Sequence, residues 1–247
     1  MKAVIAHRAG EPRVVDLPEP PLGDGTVLIR VTHSALMLPD EVATIAAAPQ
    51  LTREGTDGVP LGAMVSGLVD GVGRKVMGLK EGLRVAAFGQ PYVYHATQLS
   101  VPGNLVVELP KKVNHEEGSF AGQGALASHL LRATGSTFGE SVVIFGAGMM
   151  GMLTAQVARS AGMDALLVDD SDHLLSKARN VGIAHTCRSD RGALVDEIEK
   201  LTDGMGADAA IITPDATRQA GELAGLIVEY GGRIVAFETG HQTVPPD

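Results

Sequence analysis

Tryptophan is missing from this 247-residue chain, and three Tyr and five Phe are all the aromatic side chains it has. Its core must be built from Val, Leu, Ile, Ala and Met around many of the 31 glycines, with tight turns and close backbone approaches. Cysteine is nearly missing too. Cys187 alone excludes an internal disulfide and any cysteine-based metal cluster, and makes a reducing cytoplasm the simplest home. No apolar run approaches the ~20 residues that span a bilayer. The apolar part of Met1-Lys2-Ala3-Val4-Ile5-Ala6-His7-Arg8 is too short for a signal peptide. Positive charge is in deficit, 20 Lys and Arg against 29 Asp and Glu, a net −9. Such a chain repels phosphate backbones and anionic lipid, so neither nucleic acid nor membrane is an expected partner. A phosphate site remains within reach of backbone N–H groups, which bind anions without a basic residue.

What is present is ordinary for a globular protein: 45% hydrophobic and 20% charged residues, in a length that fits one large domain or two modest ones. Residues 1–110 read as β-rich. Short runs at 1–7, 26–34, 62–69, 83–88 and 105–109 are separated by clusters such as Leu17-Pro18-Glu19-Pro20-Pro21 and Pro102-Gly103-Asn104. This spacing predicts a partly closed, antiparallel-rich β-structure. Near residue 112 the character changes, which predicts domains at 1–112 and 113–247. A helix is expected over 115–134, then apolar runs at 141–145, 165–168, 207–212 and 232–237 alternate with helices at 149–161, 172–181, 194–201 and 217–228. Nearly continuous apolar strands alternating with helices predict a doubly wound parallel sheet, so the fold class is α/β.

The strongest signal is Val142-Val143-Ile144-Phe145-Gly146-Ala147-Gly148-Met149-Met150-Gly151. Gly146 permits a sharp turn, Gly148 lets backbone approach a pyrophosphate, and Gly151 removes a side chain where helix meets strand. Met149 and Met150 open the helix whose unpaired N–H groups and positive end face the phosphates. Asp169, twenty-three residues beyond Gly146, ends the next apolar run. A carboxylate there accepts ribose hydroxyls and repels a 2′-phosphate, and Asp170 adds to the repulsion. The expected cofactor is NAD.

This order of parts resembles the medium-chain dehydrogenase/reductase superfamily, which contains zinc alcohol and polyol dehydrogenases and zinc-free quinone oxidoreductases. Val31-Thr32-His33-Ser34-Ala35-Leu36-Met37-Leu38-Pro39-Asp40 is similar to the family's first catalytic segment. Val59-Pro60-Leu61-Gly62-Ala63-Met64-Val65-Ser66-Gly67-Leu68-Val69 is similar to its Pro-Gly-His-Glu-x-x-Gly-x-Val stretch. Leu105-Val106-Val107-Glu108-Leu109-Pro110 and Gly139-Glu140-Ser141-Val142-Val143 are similar to later landmarks. The resemblance implies a GroES-like β-rich catalytic domain followed by a Rossmann domain, and hydride transfer on a small-molecule substrate. The departures are equally informative. Met37 stands where zinc members place a Cys ligand, Ala63-Met64 replace His-Glu, and Ala121-Gly122-Gln123 matches the stretch that often carries a further acid. Catalytic zinc needs three protein ligands from Cys, His, Asp or Glu, and thioether is a poor one. No bound metal is expected, and Met37 with Met64 is expected to line an apolar substrate pocket. The chain also stops at Asp247, short of the family's usual tail, so a homodimer is open while its usual edge-strand route is in doubt.

Without zinc, proton handling falls to side chains. The catalytic candidates are Asp40, His33 and Tyr94, with Tyr92, His95 and His129 as neighbours of interest. The alternative for Asp40 is a cap for a helix over 41–47, and for Tyr92, Tyr94 and His95 a half-buried strand face. Three functions fit these residues: a zinc-independent NAD(H) oxidoreductase acting on a carbonyl, alcohol, quinone or activated alkene; a degenerate dinucleotide-binding sensor or partner-binding module; and a redox-neutral enzyme with tightly bound NAD.

Overall fold

The computed structural model describes residues 1–237. The chain divides into two compact units, Met1–Gly122 and Gln123 onward. Residues 113–122 thus belong with the β-rich part. The Ser66 hydroxyl donates to the His115 carbonyl, and the Arg84 guanidinium donates to the Val113 and Pro110 carbonyls, stitching this stretch to the sheet.

The first unit runs β1 (Lys2–His7), β2 (Glu11–Asp16), β3 (Thr26–Ser34), α1 (Leu38–Leu51), β4 (Gly58–Pro60), β5 (Met64–Val72), β6 (Arg84–Phe88), β7 (Gln98–Pro102), β8 (Val106–Glu108) and α2 (His115–Gly118). Strands β2-β1-β4 form one antiparallel sheet, and β7-β3-β5-β6-β8 a second. Val27, Ile29, Val65, Val69, Val85, Leu99 and Val101 alternate inward from the second sheet and close its core. Residues 92–95 are not a strand. Only an isolated bridge, Ala3 to Ala96, ties the region to β1.

The helix expected over 115–134 is two, α2 and α3 (Ala121–Thr134), because Ser119 closes α2, its hydroxyl donating to the Glu116 carbonyl. The second unit continues β9 (Ser141–Phe145), α4 (Met149–Ser160), β10 (Asp164–Asp169), α5 (Asp172–Asn180), β11 (His185–Arg188), α6 (Arg191–Leu201), β12 (Ala207–Ile212), α7 (Ala220–Ile227) and β13 (Val228–Ala236). Its parallel sheet has the order β11-β10-β9-β12-β13. Successive strand residues face opposite ways. Val142, Ile144, Leu167 and Ile211 pack with α3, α4 and α5, while Val143, Phe145, Leu166 and Ala210 pack with α6 and α7. Both faces are therefore covered, which is the doubly wound arrangement. The order reverses between β9 and β12, and the crevice at their carboxyl ends is where open α/β sheets bind ligands. Among the described residues no helix is long and apolar enough to cross a membrane.

Candidate functional site

In the second unit the chain leaves β9 at Phe145 and turns at Gly146, whose φ of +99° belongs to the left-handed region. Its N–H donates to the Val168 carbonyl at 2.8 Å, which fastens the turn to the neighbouring strand. Gly148 is the N-cap of α4, with extended backbone and no capping side chain of its own. Met149 is half-buried and Met150 buried in the first turn of that helix. A Cβ on Gly151 would overlap the Gly146 carbonyl, so helix and turn touch backbone to backbone. The result is the positive end of a helix dipole beside glycine backbone at the switch point of the sheet, with the Asp215 side chain against Gly148.

Asp169 ends β10 and is 5% exposed. Its two oxygens accept from the Ala147 N–H at 2.7 Å and the Ser171 N–H at 2.8 Å. The acid expected to read a ribose thus also braces the glycine turn, a role that spacing alone does not reveal. Each oxygen keeps a second lone pair for a ligand hydroxyl. Asp170, next to it, is exposed. Arg188 is paired with Asp169 in the β10–β11 register and makes an ion pair with Asp172 at 2.8 Å. That hydrogen bond raises the guanidinium above its ordinary pKa, keeping it charged. Sequence reasoning missed Arg188, because it arrives from the next strand rather than from the residues after Asp169.

In the first unit α1 starts at Leu38, so Asp40 lies in its first turn and is not the cap of a helix over 41–47. No side chain caps α1; the neighbouring acid instead ties the chain entering it, since Glu41 Oε1 accepts from the N–H of Met37, the N-cap residue, at 3.2 Å. The same oxygen lies 2.9 Å from His95 Nε2, with both side chains buried. His95 Nδ1 has no hydrogen-bonding partner among the described residues. Its backbone N–H donates to the Leu61 carbonyl, and Gln90 Nε2 donates to the Gly62 carbonyl. Fold contacts therefore bring half-buried Met37, Glu41, His95 and the Gly62–Ala63 turn together, while Met64 is fully buried at the start of β5. Glu41 is the site residue that sequence reasoning passed over. Its signal was present as an acid four residues after Met37 at a helix start.

Tyr94 is half-buried against the core of the second antiparallel sheet, and burial raises its phenol pKa. Tyr92 is exposed, and His129 is exposed on α3. His33 is exposed at the end of β3, and its ring lies parallel to that of His115 with centroids 6.5 Å apart. His115 is held below its ordinary pKa, first by burial, then by Arg84 and His33.

Residues 150–245 match the family described as zinc-binding dehydrogenase. Sorbitol dehydrogenase 1 of Saccharomyces cerevisiae is 33% identical over 53% of this chain, and that match spans only 40% of the yeast protein's length. Human sorbitol dehydrogenase is 26% identical over 98% of this chain and 76% of its own. The solved structure of mycobacterial Rv1454c complexed with NADPH has 23% identity, covers all of this chain and 76% of that one, and superposes with a TM-score of 0.77. The likeness is thus to dehydrogenases of the kind found in the medium-chain dehydrogenase/reductase superfamily.

In that family's terms the first unit is the GroES-like domain and the second the Rossmann domain. Where the resemblance places zinc ligands this chain has Met37, Ala63-Met64 and the stretch Ala121-Gly122-Gln123, which contain no Cys, His, Asp or Glu. Among the described residues no group of three or more His, Cys, Asp or Glu is placed to hold a metal ion. These residues do not fit catalytic zinc. The glycine turn has the backbone form that a pyrophosphate needs, a left-handed Gly146 followed by a glycine N-cap at the start of α4.

Proposed function

We propose that this protein is a zinc-independent NAD(H)-dependent oxidoreductase that moves a hydride to or from a small carbonyl, alcohol, quinone or activated alkene. The observation that carries this reading is the Gly146–Gly148 turn, braced by Asp169 and opening onto the N-terminus of α4 at the switch point of the sheet. The nicotinamide supplies the hydride chemistry when bound. The chain's backbone at Gly148, Met149 and Met150 takes the pyrophosphate, and Asp169 and Asp170 face the adenosine ribose and disfavour a 2′-phosphate. Proton handling is assigned to the first unit. Asp40, His33 and Tyr94 are the candidates, and half-buried Met37 is the apolar residue available to a substrate, while Met64, expected beside it, is 1% exposed and packs inside the unit. Burial raises the Tyr94 phenol pKa, so the group stays protonated and serves as a hydrogen-bond donor. The Glu41–His95 pair positions the α1 start on which Met37 and Asp40 sit.

One observation favours a second reading of cofactor choice. Arg188 stands beside Asp169 on the adjoining strand, and an Arg at that place accommodates the 2′-phosphate of NADP. Its ion pair with Asp172, and the nearby Asp170 and Asp190, argue against a free phosphate-binding cation. The test is oxidation of NADH, and separately of NADPH, by a panel of quinones, enones and aldehydes after exhaustive chelation. Turnover with NADH that survives the chelator is the expected result. Turnover that stops on chelation and returns with zinc overturns the metal assignment, and a preference for NADPH that Arg188→Ala abolishes overturns the cofactor assignment.

A further inference from the structure

Resting on that reading of the glycine cradle, we propose that Asp215 occupies the pyrophosphate position of the nucleotide-free protein, so that the dinucleotide binds by displacing a carboxylate and exchanges freely. The loop after β12 carries this residue across the mouth of the crevice. Thr213 anchors it, since both its backbone N–H and its hydroxyl donate to the Phe145 carbonyl, at 3.0 and 2.9 Å. The Ala216 N–H then closes a tight turn onto the Thr213 carbonyl at 3.0 Å. Between those anchors the Asp215 side chain lies against Gly148. A Cβ built on Gly148 would overlap the carboxylate and sit 2.6 Å from Asp215 Cγ. The close approach that the second glycine of the motif keeps open for a pyrophosphate is thus filled by an acid of the protein itself.

The chemistry of the two occupants is alike. Both are anions, and both are favoured at the positive end of α4. They cannot share the place, because the carboxylate already stands within contact distance of Gly148, and two like charges so close repel even where, as at exposed Asp215, solvent screens them. The obstacle is the far end of a side chain rather than backbone, so a rotamer change clears it without moving the sheet. Asp169 and Asp170 lie at the end of the adjacent strand β10, which makes the whole mouth acidic and raises the cost of bringing in phosphate. A nucleotide held under such opposition comes and goes with each cycle. That favours a true co-substrate over the tightly held NAD of a redox-neutral enzyme.

The experiment is a fluorescence titration of the wild-type chain, Asp215→Asn and Asp215→Ala with NADH, with melting curves of each nucleotide-free protein to confirm folding. Removing the charge is expected to tighten NADH about two- to fivefold, the size of one exposed charge at a helix N-terminus, and to lower the melting temperature of the nucleotide-free protein. Inorganic pyrophosphate, used as a competitor, is expected to show the same gain. Equal or weaker NADH binding by both variants, with the wild type still binding, overturns the proposal and leaves the cofactor site standing. No binding of NADH by any of the three overturns the cofactor reading and this proposal with it.

Discussion

The carboxylate of Asp169 joins the end of β10 to the glycine turn through the Ala147 N–H and to the entry of α5 through the Ser171 N–H. Replacing Asp169 with Ala removes two charge-assisted hydrogen bonds, so a stability loss of about 2–4 kcal/mol by urea denaturation is expected together with weaker NADH binding. A variant that bound NADH less well with unchanged stability would show a ribose contact without the bracing role. Glu41→Ala strands a buried His95 nitrogen and the Met37 N–H. A loss of about 1–3 kcal/mol follows, and Glu41→Gln should recover part of it, since its amide oxygen can still accept. At His115 the sign runs the other way from a salt-bridged histidine. Its folded pKa lies below the unfolded value, so the unfolded chain takes up the proton first, and its contribution to stability is present above the ordinary histidine pKa near 6.5 and lost as pH falls through that range. The melting temperature of His115→Asn should therefore fall less than that of the wild type between neutral and mildly acidic pH. At this scale the glycines were legible in the sequence because their spacing encodes backbone geometry. The partners of Asp169 and Glu41 were not, because hydrogen bonds made by folding leave no periodic mark.

Elements differ in how openly the sequence declares them. Strand β9 is buried along its whole length and reads as an unbroken apolar run. Strand β2 is almost wholly exposed and β7 contains Gln98, Ser100 and Pro102, so neither stands out from the loops around it. Helix α1 begins with Leu38-Pro39 and carries Pro49 near its end, signals that suggest a shorter helix than the one from Leu38 to Leu51. The caps of the later helices are plainer. Ser171 accepts from the Leu174 N–H, and Asp190 from the Ala193 N–H at 3.0 Å. Asp190→Ala should lower stability by about 1 kcal/mol in chemical denaturation, since its carboxylate caps α6. Unchanged stability would mean that the start of α6 does not depend on this cap.

The whole chain combines two units built by different rules. Antiparallel strands with alternating burial make the first, and fully buried parallel strands wrapped on both faces make the second. That contrast was readable from composition and periodicity, because the period of burial follows directly from whether one or both sheet faces are covered. The turn geometry was readable in the second unit, whose motif is a backbone device, and the local arrangement less so in the first, where it depends on which side chains the fold gathers. The central claim is that the Gly146–Gly148 turn and the N-terminus of α4 bind a dinucleotide. Titration of the purified protein with NADH and with NADPH, followed by nicotinamide fluorescence, tests it most directly. Saturable binding of NADH with weaker binding of NADPH is the predicted result, and the absence of binding by either nucleotide would contradict it.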